Sequence, residues 1–388
     1  MSLRNTDAFQ GQLCRLTPVA ADPAAPDGER DVERQFELFS CCRWPQNARQ
    51  LNKSLGGLYH IDKIQDSPGE SSGMKNDFAK IHPELQQAAT MSPKFNFSKK
   101  NLWLINLLMD LTPSTKTPED ILVENVSIPG QADRTKIRLR IYKPKSIAAP
   151  TPVLIWMHGG GYVMGKPEQD DGSCAQYVRE LGITVVSVDY RCAPKYPFPA
   201  GLEDSYSALK WMVSHSQQLG INAERIAIGG ASAGGGLAAA LVQLAHDRQE
   251  VKSIFQLLVY PMLDDRTVLR TDIDDSNNVT WSQKSNRFGW ESYLGKECGA
   301  EDVPAYSVPA RRKDLSSLPP AWIGVGSLDI FYDEDVAYAQ RLKECSIECE
   351  IDIIPGAFHG FDVFNPQVPI VQDFRRAQIS TLKKRLFP

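Results

Sequence analysis

Three observations predict an α/β fold in this 388-residue chain, with a mostly parallel central sheet flanked by helices. A β-branched run, Arg225-Ile226-Ala227-Ile228, leads through a glycine-rich turn into the buried-helix pattern Gly235-Gly236-Leu237-Ala238-Ala239-Ala240-Leu241-Val242. The apolar run Val153-Leu154-Ile155-Trp156-Met157 ends in three consecutive glycines. Two later strand patterns stop just before polar residues of catalytic type, at the carboxyl end of a strand, where ligands collect in folds of this class.

The earliest of these elements delivers His158-Gly159-Gly160-Gly161 at the end of a buried strand. Glycines there expose backbone N–H groups. A reaction that transfers an acyl group develops an oxyanion, and preorganised donors contribute roughly 3 to 4 kcal/mol apiece to its stabilisation. Gly160 and Gly161 are assigned that role, joined by the amide of Ala233. A dinucleotide or phosphate loop is the competing reading. Neither glycine cluster fits G-x-G-x-x-G, and neither carries the Gly-Lys-Ser/Thr of a P-loop.

The second element carries Gly230-Ala231-Ser232-Ala233-Gly234 between the strand and the helix. A sharp strand-to-helix turn strains the serine backbone and exposes its hydroxyl, while the flanking glycines leave room where side chains would collide. The helix N-terminus also favours negative charge beside Ser232. Ser232 is the predicted nucleophile.

An acid and a base follow in the chain. Pro320-Ala321-Trp322-Ile323-Gly324-Val325-Gly326 reads as a strand with Asp329 just beyond it, whereas Asp333, Glu334 and Asp335 read as acidic residues of the next helix's first turn. Asp329 is the predicted orienting acid. Cys349-Glu350-Ile351-Asp352-Ile353-Ile354 then ends in a loop that presents His359 between Phe358 and Phe361. Of the other histidines, His60 and His82 lie in the polar N-terminal region, His215 and His246 sit near helix C-termini, and His158 belongs to the glycine motif. His359 is the predicted general base. The order Ser232, Asp329, His359 is that of α/β-hydrolases and differs from two other well-known serine hydrolase layouts.

With these motifs in place, the chain resembles the hormone-sensitive-lipase-like family of α/β-hydrolases, which includes microbial esterases and arylacetamide deacetylases. Val185-Val186-Ser187-Val188-Asp189-Tyr190-Arg191, the proline-rich run from Ala193 to Ala200, and Tyr260-Pro261 add to the resemblance, which covers residues 118–388. Ala231 departs from the Asp or Thr that many members place before the nucleophile. The resemblance implies a serine carboxylesterase acting on short- to medium-chain esters, with no cofactor and no metal. Amide cleavage by the same triad is an alternative. A non-catalytic receptor of the same fold is another, although relatives of that kind lose a triad member. The resemblance also implies a cap over the site, built partly from helices within residues 1–117 and partly from an insertion at about 262–304. That insertion carries Trp281, Phe288, Trp290 and Tyr293, aromatics that suit an apolar acyl or alcohol pocket.

Composition excludes other classes. A net charge of −4 and an ordinary apolar fraction argue against a nucleic-acid partner and are consistent with a globular enzyme, whose partner the resemblance implies to be a small-molecule ester. No 18-residue apolar stretch provides a membrane span, and the start lacks the apolar core of a secretory signal. Eight cysteines without C-x-x-C spacing read as free thiols in a reducing, cytoplasmic setting. Residues 18–31 and 67–73 are polar and rich in Pro, Gly or Ser, a composition that suits a flexible segment. The strand over 350–354 offers an edge for a homodimer.

Overall fold

The computed structural model describes residues 78–388, except for 93–95, 112–118, 131–134, 147–149 and 276–277. His60, Cys14, Cys41, Cys42 and the polar stretches at 18–31 and 67–73 lie outside the described residues.

One eight-stranded sheet organises the fold. Its strands are β1 (Ile121–Pro129), β2 (Lys136–Pro144), β3 (Thr151–Met157), β4 (Thr184–Asp189), β5 (Ile221–Ala231), β6 (Phe255–Val259), β7 (Ala321–Gly326) and β8 (Cys349–Ile354). Their spatial order is β1-β2-β4-β3-β5-β6-β7-β8. The β1–β2 and β2–β4 pairs are antiparallel, and every pair from β4 to β8 is parallel. All residues of β3, β6 and β7 are buried, as expected of strands covered on both faces.

Helices α1 (Gln86–Met91), α2 (Leu102–Leu111), α3 (Asp171–Leu181), α4 (Ala200–Ser214), α5 (Ala233–Arg248), α6 (Gln283–Leu294), α7 (Tyr332–Glu344) and α8 (Pro369–Leu386) surround the sheet. Residues of α4, α5 and α7 pack in one core on one face, while α3 and α8 bury Cys174, Val178, Val371, Phe374 and Leu382 in the other. The apolar run from Leu102 forms a helix as the sequence predicts. Its neighbour α1 sits on the core of the sheet fold itself, burying Ala88 and Ala89 with Leu85 and Ile81 in the α3–α8 cluster.

Register brings the chemistry to one edge. Met157 pairs with Gly230, Ala231 with Val259, Val259 with Gly324, and Gly326 with Ile354. The chain therefore leaves β3, β5, β6, β7 and β8 at the same level, and the residues that follow each strand become neighbours although up to 200 positions separate them.

Candidate active site

β5 runs through Gly229, Gly230 and Ala231 to the serine, three residues further than the β-branched run alone predicts. Ser232 follows with φ 57 and ψ −122, a conformation that L-residues rarely adopt, and α5 begins at once with Ala233. Two bonds fix this strained turn: Ser232 N–H donates to Val259 O at 2.8 Å, and Ser232 O accepts from Met262 N–H at 2.9 Å. Gly234 is required, because a Cβ there would lie 2.1 Å from Met157 O and 2.4 Å from His158 O. Strain of this kind persists only where the surrounding structure over-determines it.

His359 lies between the serine and the acid. Its Nε2 is 2.9 Å from Ser232 Oγ and its Nδ1 is 2.8 Å from Asp329 Oδ2. The other oxygen of Asp329 accepts the N–H of Phe331 at 2.9 Å, which points the carboxylate at the imidazole. All three residues are buried. Tyr260 and Phe331 set ring edges against His359 with centroids 4.9 and 5.0 Å away, and the Tyr260 hydroxyl donates to Asp362 at 2.6 Å. The sequence reading places Tyr260 only as a strand-end landmark. Its contact with the base is a tertiary consequence of β6 and β8 ending at one level.

The glycine loop after β3 is held by its carbonyls. Tyr190 OH donates to His158 O at 2.7 Å, Gln169 reaches Gly159 O at 3.3 Å, and Val163 and Met164 donate to Gly160 O at 3.0 and 3.1 Å. His158 is fully buried, stacked on Tyr190 with centroids 4.2 Å apart, and burial lowers its pKa. Nδ1 is therefore the N–H donor to Gly159 O at 2.9 Å. Gly160 and Gly161 adopt φ 128 and 59. Among the described residues, the N–H groups of Gly160, Gly161 and Ala233 donate to no backbone carbonyl. The Ala233 amide belongs to the first turn of α5, where no intrahelical partner exists.

The remaining sequence candidates separate by position. Asp333 is exposed and pairs with Arg270, whereas the histidine's carboxylate partner is Asp329. Asp333, Glu334 and Asp335 all lie in the first turn of α7, as the sequence predicts, but Glu334 and Asp335 are buried. Glu334 accepts the N–H groups of Leu263 and Asp264 at 2.6 and 3.1 Å and the Thr267 hydroxyl, so it fastens the chain after β6 to α7. His82 precedes a short 3₁₀ turn and accepts from Glu84 N–H at 3.4 Å, and His215 caps α4. His246 lies in the last turn of α5. Among the described residues, no group of three or more His, Cys, Asp or Glu side chains is placed to hold a metal.

An elbow serine on a mostly parallel eight-stranded sheet, bonded to a histidine from the loop after the last strand, defines an α/β-hydrolase. A family model described as alpha/beta hydrolase fold matches residues 154–363. Esterase LipI of Mycobacterium tuberculosis is 34% identical over 264 residues, spanning 68% of this chain and 81% of its own length. Carboxylesterase NlhH of the same organism is 32% identical over 278 residues, 70% of this chain and 86% of its own. Among solved structures, a bacterial heroin esterase superposes with a TM-score of 0.74 at 33% identity, covering 80% of this chain and 99% of that one. Esterase LipW from Mycobacterium marinum gives 0.72 at 33% identity, covering 81% and 99%. The chain belongs to the α/β-hydrolase family, within its hormone-sensitive-lipase-like branch.

Proposed function

We propose that the protein is a serine carboxylesterase that cleaves short- to medium-chain esters through an acyl-enzyme on Ser232. The observation that carries this reading is the unbroken hydrogen-bonded series Asp329, His359, Ser232 beneath the glycine loop. Ser232 Oγ attacks the ester carbonyl carbon as His359 Nε2 takes its proton, and the carbonyl π electrons move onto oxygen. The amides of Gly160, Gly161 and Ala233 receive that oxyanion, and Asp329 stabilises the imidazolium and fixes its tautomer. Collapse expels the alcohol, which leaves with the proton from Nε2. Water then repeats the attack on the acyl-enzyme, with His359 as base again, and releases the carboxylic acid and the serine. Every proton and electron pair is accounted for by the ester, the water and these side chains. The carboxylesterase and ethyl acetate hydrolase relatives support ester cleavage.

A cap over this chemistry is formed by the chain near Phe97 and by the insertion between β6 and β7. Phe97 N–H donates to Ser285 Oγ at 3.1 Å across the two segments, which supports that reading. Residence in the cytoplasm is supported by Cys174, Cys192, Cys298, Cys345 and Cys349, which are free thiols. A homodimer would pair through β8, which forms one edge of the sheet.

Hydrolysis of p-nitrophenyl esters from acetate to palmitate by wild-type and Ser232→Ala protein is the test. Turnover that peaks at short chains and disappears in the variant is expected. Comparable rates in the two proteins would overturn the assignment, and turnover of anilides but not esters would make the enzyme an amidase.

A further inference from the structure

The insertion between β6 and β7 touches both halves of the site with two adjacent residues. Thr280 Oγ–H donates to the His359 carbonyl at 2.5 Å, so it grips the loop that carries the base. Trp281 lies over the oxyanion loop. A Cβ built on Gly161 would sit 2.0 Å from its Cη2 and 2.5 Å from its Cζ2, so the indole edge occupies the space a side chain would need. The other insertion aromatics serve packing instead. Trp290 and Tyr293 are buried and lie against Tyr162, with ring centroids 5.2 and 4.0 Å away.

We propose that Thr280 and Trp281 form the specificity and positioning element of this site, with Trp281 as the wall that limits one apolar substituent of the ester and Thr280 as the tie that keeps His359 in register with that wall. The inference rests on the roles given above to Ser232, His359 and Gly161. An ester carbonyl held by the Gly161 amide has its carbon within a few ångströms of that residue. One of its two substituents, acyl or alcohol, must then pass the indole.

The wall is braced. The Phe97 ring packs on Trp281 at 5.2 Å between centroids, the indole N–H points to Asn286 Oδ1 at 3.5 Å, and Gly289 of α6 brings its backbone against Gly161, where a Cβ would lie 2.7 Å from Gly161 O. Trp281 is only 5% exposed. An indole held against a ring, an amide and two glycine backbones is fixed in place by its neighbours, so its size sets the room available. Each methylene that fits is worth about fourfold in relative rate or affinity, and each one that does not fit forfeits that factor. The substrate class is therefore an ester with at least one compact substituent.

Two substrate series separate the sides: p-nitrophenyl esters of lengthening acyl chain, and acetates of lengthening alcohol. Trp281→Ala should raise the long-to-short ratio of kcat/KM at least tenfold in one series, with Trp281→Phe intermediate. Thr280→Val should lower kcat about tenfold with KM nearly unchanged, and Thr280→Ser should restore it. A uniform fall across both series in Trp281→Ala, or an unaltered kcat in Thr280→Val, would show that the pair only packs. Calorimetric binding of the same esters to Ser232→Ala protein, with and without Trp281→Ala, reads the pocket without turnover. A shift of chain preference in binding together with no wild-type hydrolysis would sink the esterase reading and leave the wall standing. Identical chain dependence in both proteins would overturn the wall.

Discussion

The ends of β3 and β5 and the insertion after β6 converge on the same serine by different means. At the strand ends each functional atom is set by local backbone: Ser232 by a positive φ between a strand and a helix, and the amides of Gly160 and Gly161 by a tripeptide that only glycine fills comfortably. In the insertion nothing local aims Thr280 or Trp281 at the site. They arrive because α6 begins at Gln283 and packs Gly289 onto the glycine loop, and because Asn96 and Phe97 hold Ser282 and Ser285 from the far side. Chemistry in this molecule is thus written in short motifs, and fit is written in tertiary contacts. That division suits a scaffold whose reaction stays fixed while its substrates vary.

The sharpest test of the motif half is the acid. Asp329→Asn should lower kcat on the order of 10⁴ with the fold intact, since the amide would present the wrong partner to Nδ1. Asp333→Asn, four residues away and bonded to Arg270 at the surface, should leave kcat within about twofold, as expected of an exposed ion pair. Steady-state kinetics on one ester decide the matter, and the reverse ranking would mean that the local order of the turn misassigns the acid.

Gly161 is where the two halves meet, so a substitution there tests whether they are separable. Gly161→Ala should cost activity and stability for two reasons: its φ of 59, and the overlap with the Trp281 indole. In a Trp281→Ala background only the first reason remains. A double-mutant cycle in thermal or denaturant stability should therefore return a coupling of about 0.5 to 3 kcal/mol. Strict additivity would show that the insertion does not bear on the oxyanion loop.

The same division explains what the sequence reveals. The proposed triad is legible because Ser232 follows its strand directly and Asp329 and His359 each sit one short loop beyond theirs, and parallel register brings the three side chains together. Trp281 is visible as an aromatic in a polar stretch, yet its partner Gly161 lies 120 positions earlier, and no periodicity links them. Thr280 gives no signal at all, since a threonine bonded to a distant carbonyl looks like any other. Glu334 and Asp335 are legible as first-turn acids, yet their burial is not, for a related reason. Acidic residues in a first turn usually face solvent and the helix dipole, but here α7 is sunk between the chain after β6 and the acid loop, and burial overrides that local preference.

Asp335 carries the smallest and most local consequence. It is fully buried, neither carboxyl oxygen has a hydrogen-bond partner among the described residues, and Glu334 and Asp329 are the acidic neighbours that bear on it. Burial first, and those two acidic neighbours second, raise its pKa well above the ordinary carboxyl value, so folding favours its protonated form. The folded state then keeps a proton that the unfolded chain releases near pH 4, and stability from this group falls as pH rises above that value towards the raised folded pKa. Asp335→Asn keeps the shape and removes the titration. Its melting temperature relative to wild type should therefore climb between pH 5 and pH 8, while Asp333→Asn, at the exposed end of the same turn, should show no such trend. Calorimetric scans at the two pH values read the difference directly. A flat offset for Asp335→Asn would mean that the buried carboxyl finds a compensating donor in solution, and the contrast between a buried and an exposed acid two residues apart would then disappear.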